Sequence, residues 1–224
     1  MNYVVDKAIV LGRINYGEAD RIATLICEQT GKVTVLAKGV RRPKSKLAGG
    51  LEIFNINEIT YIPGKKDIST LVSSRLQKPH HKLVQDFTAS QKVFEAFKWL
   101  NGHLEAGTGA EYYSLLAGML ELAESNPNLA MIWFYMRALE QSGHSINPFH
   151  DPSGNKLTSA QTYAFDYDSS VFVPKTDGEY SQEDIKLLRL ALGLSIEDFA
   201  RIGLSDKQAE RILLLINRSL QLNF

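Results

Sequence analysis

The sequence predicts an α+β protein in which a small five-stranded β-barrel, residues 1–80, precedes an all-α helical domain, residues 81–224. Residues 3–78 are β-branched runs separated by turn signals, whereas from Val84 onward the apolar residues recur at helical spacing. The charge divides at nearly the same place. Residues 1–82 carry 14 Lys and Arg against 7 Asp and Glu (net +7), and residues 83–224 carry 11 against 18 (net −7). This split indicates a basic module followed by an acidic module with another task.

The strands of the first domain follow one another with little chain between them. They are predicted at Tyr3–Arg13, Arg21–Glu28, Lys32–Ala37, Leu51–Ile62 and Ile68–Leu76. Polar and glycine-containing turns separate them, and Pro63-Gly64 ends the fourth strand. Because no crossover helix fits between these strands, they are expected to form a closed or nearly closed barrel. The strand count by itself fits an OB-fold and an SH3-like barrel equally well.

The second domain contains helices at about 84–102, 110–124, 129–142 and 206–222. The segment at 129–142 is apolar over most of its surface, which is typical of a central, buried helix. Three serines that each precede a polar residue by three positions predict further helix starts. These pairs are Ser181 with Asp184, Ser195 with Asp198, and Ser205 with Gln208. Proline and glycine interrupt residues 143–180, which are predicted to be a loop-rich insert with a small hairpin.

The most distinctive stretch is the run Ala37–Leu51, which lies between two predicted strands. It carries five cations and no acid until Glu52, and its glycines and proline predict a mobile loop. Positive charge in an adaptable loop between strands suits contact with a phosphate backbone. The alternative is an ordinary solvated surface. The candidate phosphate contacts are Lys38, Arg41, Arg42, Lys44 and Lys46.

Four aromatic residues of the barrel are candidates for stacking on bases: Tyr3, Tyr16, Phe54 and Tyr61. Residues of this kind more often fill a core or a sheet edge. Tyr16 is the strongest candidate because it lies in a polar turn rather than in an apolar run.

The sequence carries no specific catalytic motif, which favours a binding module over an enzyme and predicts no cofactor and no metal. Asp166 and Asp168 supply at most half of a two-metal nuclease site. His80 and His81 follow Pro79 and are expected to lie in a solvated linker. Cys27, the single cysteine, lies in an apolar run and is expected to be a buried small hydrophobe in a cytoplasmic protein. No apolar run is long enough to span a membrane.

Four stretches of the first domain carry a family resemblance. They are KAIVL at 7–11, YGEADR at 16–21, GK at 31–32 and, above all, AKGVRRPKSKLAG at 37–49. With these stretches the chain resembles the family of the bacterial DNA repair protein RecO. The match extends more weakly through the helices, including the pattern over residues 187–222.

The resemblance implies an N-terminal OB-fold and a helical C-terminal domain. It also implies binding of single- and double-stranded DNA, strand annealing in the RecF pathway, and a cytoplasmic, nucleoid-associated location. With RecR, such a protein helps to load RecA onto strands coated by single-stranded DNA-binding protein (SSB). The five loop cations would contact phosphate, with Arg13 and Arg21 as weaker candidates on the barrel. The helical domain would take the acidic, apolar C-terminal tail of SSB, with Arg137, Lys156 and Arg189 as possible anchors.

The sequence departs from the family in the insert at 143–180. Many members carry a four-cysteine zinc motif that begins C-x-x-C-G, whereas this chain has His150-Asp151-Pro152-Ser153-Gly154 there. The second cysteine pair is also missing, around Phe172-Val173, so the insert is a degenerate, zinc-finger-like element. Two alternatives from other classes stay open. One is a metal-dependent nuclease using Asp166 and Asp168, and the other is a protein adaptor whose basic loop binds an acidic partner.

Overall fold

Five strands close into a barrel in the computed structural model, which describes residues 2–47, 49, 51–65, 67–158 and 162–223, the last by its backbone alone. Residues 48 and 50 of the basic loop and 159–161 of the insert lie outside the described part. The strands are β1 (Val4–Tyr16), β2 (Asp20–Cys27), β3 (Gly31–Ala37), β4 (Ile56–Ile62) and β5 (Ile68–Lys78).

The strand order decides between the two barrel classes that the sequence left open. The barrel runs β1-β2-β3-β5-β4, and the antiparallel β1–β4 pair closes it. Strands β3 and β5 pair in parallel over Thr34–Leu36 and Ile68–Thr70, whereas the other pairs are antiparallel. This Greek-key arrangement is that of an OB-fold, so the predicted fold class is confirmed.

The fourth strand starts later than the sequence predicts, at Ile56 instead of Leu51. Leu51 is fully buried in the barrel core, and Phe54 has a φ of +72°, which a strand cannot contain. The ring of Phe54 packs on those of Phe94 and Phe97, with centroids 5.4 and 5.8 Å away. The predicted strand start was wrong because Leu51 and Phe54 are buried within a turn segment that precedes the strand, and they take no part in the β-ladder.

A helical segment packs on the barrel in a first compact unit, Met1–Ser125. It comprises α1 (His81–Gln85), α2 (Phe87–His103) and α3 (Tyr112–Ala123). Lys32 on β3 holds the end of α2, because its Nζ donates to the carbonyls of Asn101 (2.6 Å) and Leu104 (2.7 Å). The boundary predicted after residue 80 stays a prediction. The β-ladder ends at Lys78, and the first unit continues through these three helices.

His80 is not the solvated linker residue that the sequence predicts. Its side chain is 0% exposed, and its Nδ1 lies 3.5 Å from a carboxylate oxygen of Glu124. An exposed ion pair between Lys78 and Glu121 (2.8 Å) joins the same two stretches of chain. The exit of β5 therefore meets the end of α3 through the Lys78–Glu121 ion pair and through the contact between His80 and Glu124.

The second compact unit, Asn126–Phe224, is built around α4 (Pro127–Gln141). Ten of the residues of α4 are buried, as its apolar sequence predicts, and it packs against α5 (Gln182–Gly193) and α7 (Asp206–Asn223). A short helix α6 (Ile196–Phe199) and a hairpin of β6 (Tyr163–Asp166) and β7 (Val171–Pro174) complete the described elements. No described helix combines the length and the apolar composition that a membrane span requires.

The three predicted serine caps are present in the second unit. Ser181 and Asp184 form a reciprocal capping box at the start of α5. The hydroxyls of Ser195 and Ser205 accept the N–H of the residue three positions later, at 3.2 and 3.3 Å. These caps depend only on neighbours in sequence, which explains why the sequence predicts them.

Candidate nucleic-acid interface

The basic loop, residues 38–50, is tied at its start to the turn between β1 and β2. The N–H of Gly39 donates to Oδ1 of Asp20 (2.7 Å), and the N–H of Arg41 donates to the carbonyl of Ala19 (2.9 Å). The Arg41 guanidinium also donates to the carbonyl of Gly17 (3.3 Å). The β1–β2 turn and the basic loop therefore form one continuous surface.

The loop is two-sided. Val40 is buried in the barrel core together with Leu51, and Leu47 and Ile53 pack against the same core. The cationic side chains lie on the opposite, solvent side, where Lys38, Arg41, Arg42, Lys44 and Lys46 are all exposed. The sequence predicts a mobile loop; the structure adds apolar anchors that fix where the charges are presented.

Arg21 and Arg13 lie on the barrel beside this loop. Arg21 pairs in register with Asn15 on one side and Ala37 on the other. Burial lowers the pKa of Arg21, and the fields of Arg13 and Arg41 lower that pKa further, while Glu52 raises it. Arg21 therefore lies in a local excess of positive charge, which favours an anion.

Arg13 already has partners within the protein. Its Nη1 donates to the carbonyl of Leu51 (2.8 Å) and to Oε1 of Glu52 (2.6 Å). These bonds hold the end of the basic loop on β1, which favours a structural role. The DNA contact of Arg13 stays a prediction, as do those of Arg21 and the loop cations.

Of the four aromatic candidates, only two are exposed. Phe54 and Tyr61 are buried, as core residues are, and the Tyr61 hydroxyl donates to Oγ1 of Thr30 (3.1 Å). Tyr3 is exposed, but it precedes β1, at the end of that strand remote from the basic loop. Tyr16 is 55% exposed at the β1–β2 turn, directly beside the loop. The geometry thus favours Tyr16 for base stacking.

An uncharged sheet face extends from Tyr16. Ile14, Ile22 and Leu36 are aligned across β1, β2 and β3, and Ile14 is 64% exposed. Thr24 and Thr34 form the next row on the same face. In OB-folds the face of strands 2 and 3 is where single-stranded nucleic acid lies. Here that face offers apolar contact to bases and leaves the phosphates to the neighbouring cations.

The acidic pair of the nuclease alternative does not form an open metal site in the second unit. The Asp166 carboxylate accepts the N–H of Asp168 (3.1 Å) and the hydroxyl of Ser169, and these bonds lower its pKa. Asp166 thus organises its own turn. Among the described residues, no group of three or more His, Cys, Asp or Glu side chains is placed to hold a metal ion.

The residues of the insert do not fit the four-cysteine zinc site that many members of the resembled family carry. Structural zinc needs four Cys or His ligands. The first pair of positions holds His150 and Ser153, and the second region holds Phe172, which is fully buried, and Val173. His150 alone of these four supplies a zinc ligand.

A cavity of about 240 Å³ opens beside the insert. Its lining residues are the apolar Phe149 and Leu157 and the nitrogen-bearing His150, Lys156 and Arg189. The Arg189 guanidinium lies 5.7 Å from the centre of the Phe149 ring. Arg137, the third possible anchor, instead donates to the carbonyls at the end of α5 and stacks on Trp133.

Comparison with known proteins finds a family model that matches the barrel. Residues 1–80 match the family model described as Recombination protein O N terminal. The barrel is therefore similar to the N-terminal domain of RecO proteins. The match covers the whole barrel, including the β1–β2 turn and the basic loop.

Three RecO-family relatives, each named DNA repair protein RecO, show how far the similarity extends. The protein of Acetivibrio thermocellus is 45% identical over 65 residues, which cover 29% of this chain and 26% of the relative. That of Dehalococcoides mccartyi strain CBDB1 is 33% identical over 142 residues, covering 62% and 55%. That of Streptomyces avermitilis is 30% identical over 156 residues, covering 65% and 63%. The chain thus matches less than two thirds of the length of each relative.

Proposed function

We propose that this protein is a DNA-binding mediator of recombination and repair that holds nucleic acid on its OB barrel. The observation that carries the proposal is the two-sided basic loop. Its five cations are exposed on one side, and the buried Val40 within it and Leu51 directly after it fix it on the barrel. The family and the names of the relatives support the role in repair.

The loop would hold the phosphate backbone largely without sequence preference. Neutralising phosphate charge lets two complementary strands approach, which is the requirement for annealing. Unpaired bases would lie against the Ile14, Ile22 and Leu36 face and stack on Tyr16. Duplex DNA would use the cations alone. No bond is made or broken in this activity, so no catalytic residue is proposed.

The test is the fluorescence anisotropy of a labelled single-stranded oligonucleotide. Arg41→Ala/Arg42→Ala is compared with wild type and with Arg75→Ala/Arg201→Ala, which removes two exposed arginines outside the loop. We expect salt-sensitive binding by wild type and the control. The loop variant should bind the oligonucleotide with an affinity that is lower by about tenfold or more. Equal binding by all three proteins would move the site elsewhere. No binding by wild type would favour the adaptor alternative.

We also propose that the partners implied by the family act on this chain: RecR, the SSB tail and, functionally, RecA. The cavity with Phe149, Lys156 and Arg189 suits an acidic peptide end that carries an apolar side chain. An SSB tail peptide should bind the wild type and the control Lys186→Glu. Lys156→Glu should weaken it about tenfold. If Lys156→Glu binds the peptide normally, the tail docks elsewhere.

The RecR and RecA proposals need the complete reaction. Wild type and RecR together should accelerate RecA filament formation on SSB-coated strands, measured by RecA ATPase activity. The loop variant Arg41→Ala/Arg42→Ala should lose this stimulation, while the control Arg75→Ala/Arg201→Ala keeps it. Stimulation by the loop variant would separate RecA loading from DNA binding by the loop.

A further inference from the structure

The segment 147–157 of the insert is a closed hairpin. The N–H of Leu157 donates to the carbonyl of Phe149 (3.0 Å), and His150 and Lys156 form an antiparallel bridge. At the tip, the N–H of Asp151 donates to the carbonyl of Asn155 (2.9 Å). The backbone thus closes the loop at three successive levels.

Asp151 organises the tip of this hairpin. Its Oδ1 accepts the N–H groups of Ser153 (2.9 Å) and Asn155 (2.8 Å), and its Oδ2 accepts the side-chain amide of Asn155 (3.2 Å). The N–H of Gly154, at a φ of +82°, donates to the Asp151 carbonyl (2.9 Å). The Asp151 carboxylate therefore accepts N–H groups of Ser153 and Asn155 that the turn would otherwise leave without an acceptor.

Arg189 clamps the base of the hairpin from α5. Its Nε donates to the carbonyl of Pro148 (2.8 Å), and its Nη2 donates to the carbonyl of Leu157 (3.0 Å). These two carbonyls belong to opposite arms of the hairpin, so one planar guanidinium joins both arms to a helix. The rigid fork of arginine makes two such bonds at once, which a lysine ammonium matches poorly.

The other half of the insert is held by aromatic packing. Phe172 contacts Phe165 and Tyr180 with ring centroids 4.8 and 5.4 Å apart. The N–H of Asn147 donates to the carbonyl of Ser170 (2.9 Å), which joins the 147–157 hairpin to the β6–β7 hairpin. An aromatic cluster occupies the region where the second ligand pair of a four-ligand site would stand.

We propose that Arg189 and Asp151 hold the insert in its folded shape without any metal ion, Arg189 as the clamp at its base and Asp151 at its tip. The inference is independent of DNA binding. It makes the cavity beside Phe149 a permanent feature of the protein rather than one that depends on zinc supply. Lowering of the Asp151 pKa by the N–H of Asn155 agrees with the bonds described.

The first test is metal content. The full chain, produced in zinc-supplemented medium and purified without chelator, should hold well under one zinc per chain by elemental analysis. A chelator should leave its thermal unfolding midpoint unchanged, and so should added zinc. One tightly held zinc per chain, with a midpoint that falls on chelation, would overturn the proposal.

The second test measures amide exchange of residues 147–158 by mass spectrometry. In Arg189→Met, exchange of these amides should become about tenfold faster, because both arms lose their clamp. Arg189→Lys should recover only part of the protection. Arg201→Met, at an exposed position of the same unit, is the matched control and should match wild type. Unchanged exchange in Arg189→Met would show that the clamp is not needed.

A substitution at the tip keeps the test decisive if Arg189→Met disturbs the whole unit. Asp151→Asn retains an oxygen for the N–H groups of Ser153 and Asn155, whereas Asp151→Ala removes it. Exchange at the tip should therefore be faster in Asp151→Ala than in Asp151→Asn. Equal exchange in the two variants would remove Asp151 from the proposal.

Discussion

The N–H of Gly39 donates a 2.7 Å hydrogen bond to Oδ1 of Asp20. The two residues belong to different stretches of the barrel, YGEADR and AKGVRRPKSKLAG, and are 19 positions apart in sequence. An acidic side chain thus fixes the start of a cationic loop. Gly39 has a φ of +64°, a conformation that favours glycine and turns its N–H toward Asp20.

Two substitutions of Asp20 should distinguish the contribution of this hydrogen bond from that of the carboxylate charge. Asp20→Ala should lower the free energy of unfolding by about 1 kcal/mol, because the Gly39 N–H loses its acceptor. Asp20→Asn keeps an acceptor oxygen and should stay close to wild type. Urea unfolding measures both. Equal loss in the two variants would assign the effect to the charge instead of the hydrogen bond.

The basic loop should control the salt dependence of DNA binding. If five loop cations contact a single strand, log K falls with log salt with a slope of about −3.5. Arg41→Ala/Arg42→Ala should reduce the magnitude of the slope by about 1.4, since two contacts are lost. Anisotropy titrations at several salt concentrations give these slopes. A slope near zero for wild type would contradict the electrostatic account.

Gly31→Ala should be among the most destabilising substitutions in the barrel. A Cβ at Gly31 would lie 2.3 Å from the carbonyl oxygen of Thr108, and the residue has a φ of +70°. We expect a loss of about 3 kcal/mol in the free energy of unfolding. Gly17→Ala is the control, because Gly17 has a φ of +56° and open space around it, and should cost only about 1 kcal/mol. Similar losses would show that the contact with Thr108 relaxes easily.

His80 should make the first unit less stable in acid. Burial lowers the pKa of His80 below its ordinary value of 6.5, Lys78 lowers it further, and Glu124 and Glu121 partly oppose this. The unfolded chain then takes up the proton more readily than the folded chain. Stability is therefore complete above the ordinary pKa and is lost as the pH falls through the folded-state pKa.

His80→Gln should flatten this part of the pH dependence, since glutamine does not titrate. Urea midpoints measured between about pH 8 and about pH 5 test it. His81→Gln, at the exposed neighbouring position, is the matched control and should leave the profile unchanged. A wild-type midpoint that rises toward acid pH would mean that the Glu124 pairing outweighs burial.

The pair of Arg211 and Asp184 should be costly to break from one side. Two bonds of 2.7 and 3.0 Å join them, and the Asp184 side chain is 0% exposed. Arg211→Met should cost about 3 kcal/mol at neutral pH, because it leaves a buried carboxylate that keeps its bonds from Ser181 but has lost its cationic partner. Arg211→Met/Asp184→Leu should lose less than the sum of the losses in Arg211→Met and Asp184→Leu, the second of which also removes the Asp184 half of the capping box. An additive double variant would show that the two side chains are not coupled.

The sequence by itself determined the elements that depend on neighbouring residues. The capping box of Ser181 and Asp184, the buried α4 and the cationic run from Lys38 to Lys46 are all recognisable from residues a few positions apart. Hydrogen bonds to adjacent N–H groups and helical or alternating apolar spacing act over such short ranges. The family resemblance is likewise carried by short stretches, those at 7–11, 16–21, 31–32 and 37–49 of the barrel.

Only the tertiary structure decided what depends on residues far apart in the chain. Arg13 meets Glu52, Lys32 meets Asn101, and His80 meets Glu124 because the strands close into a barrel and helices pack on it. None of these partners is fixed by local sequence, so a histidine expected in solvent is buried and an arginine expected to contact DNA is already paired. The parallel β3–β5 pair, which identifies the OB-fold, is likewise a contact between distant residues.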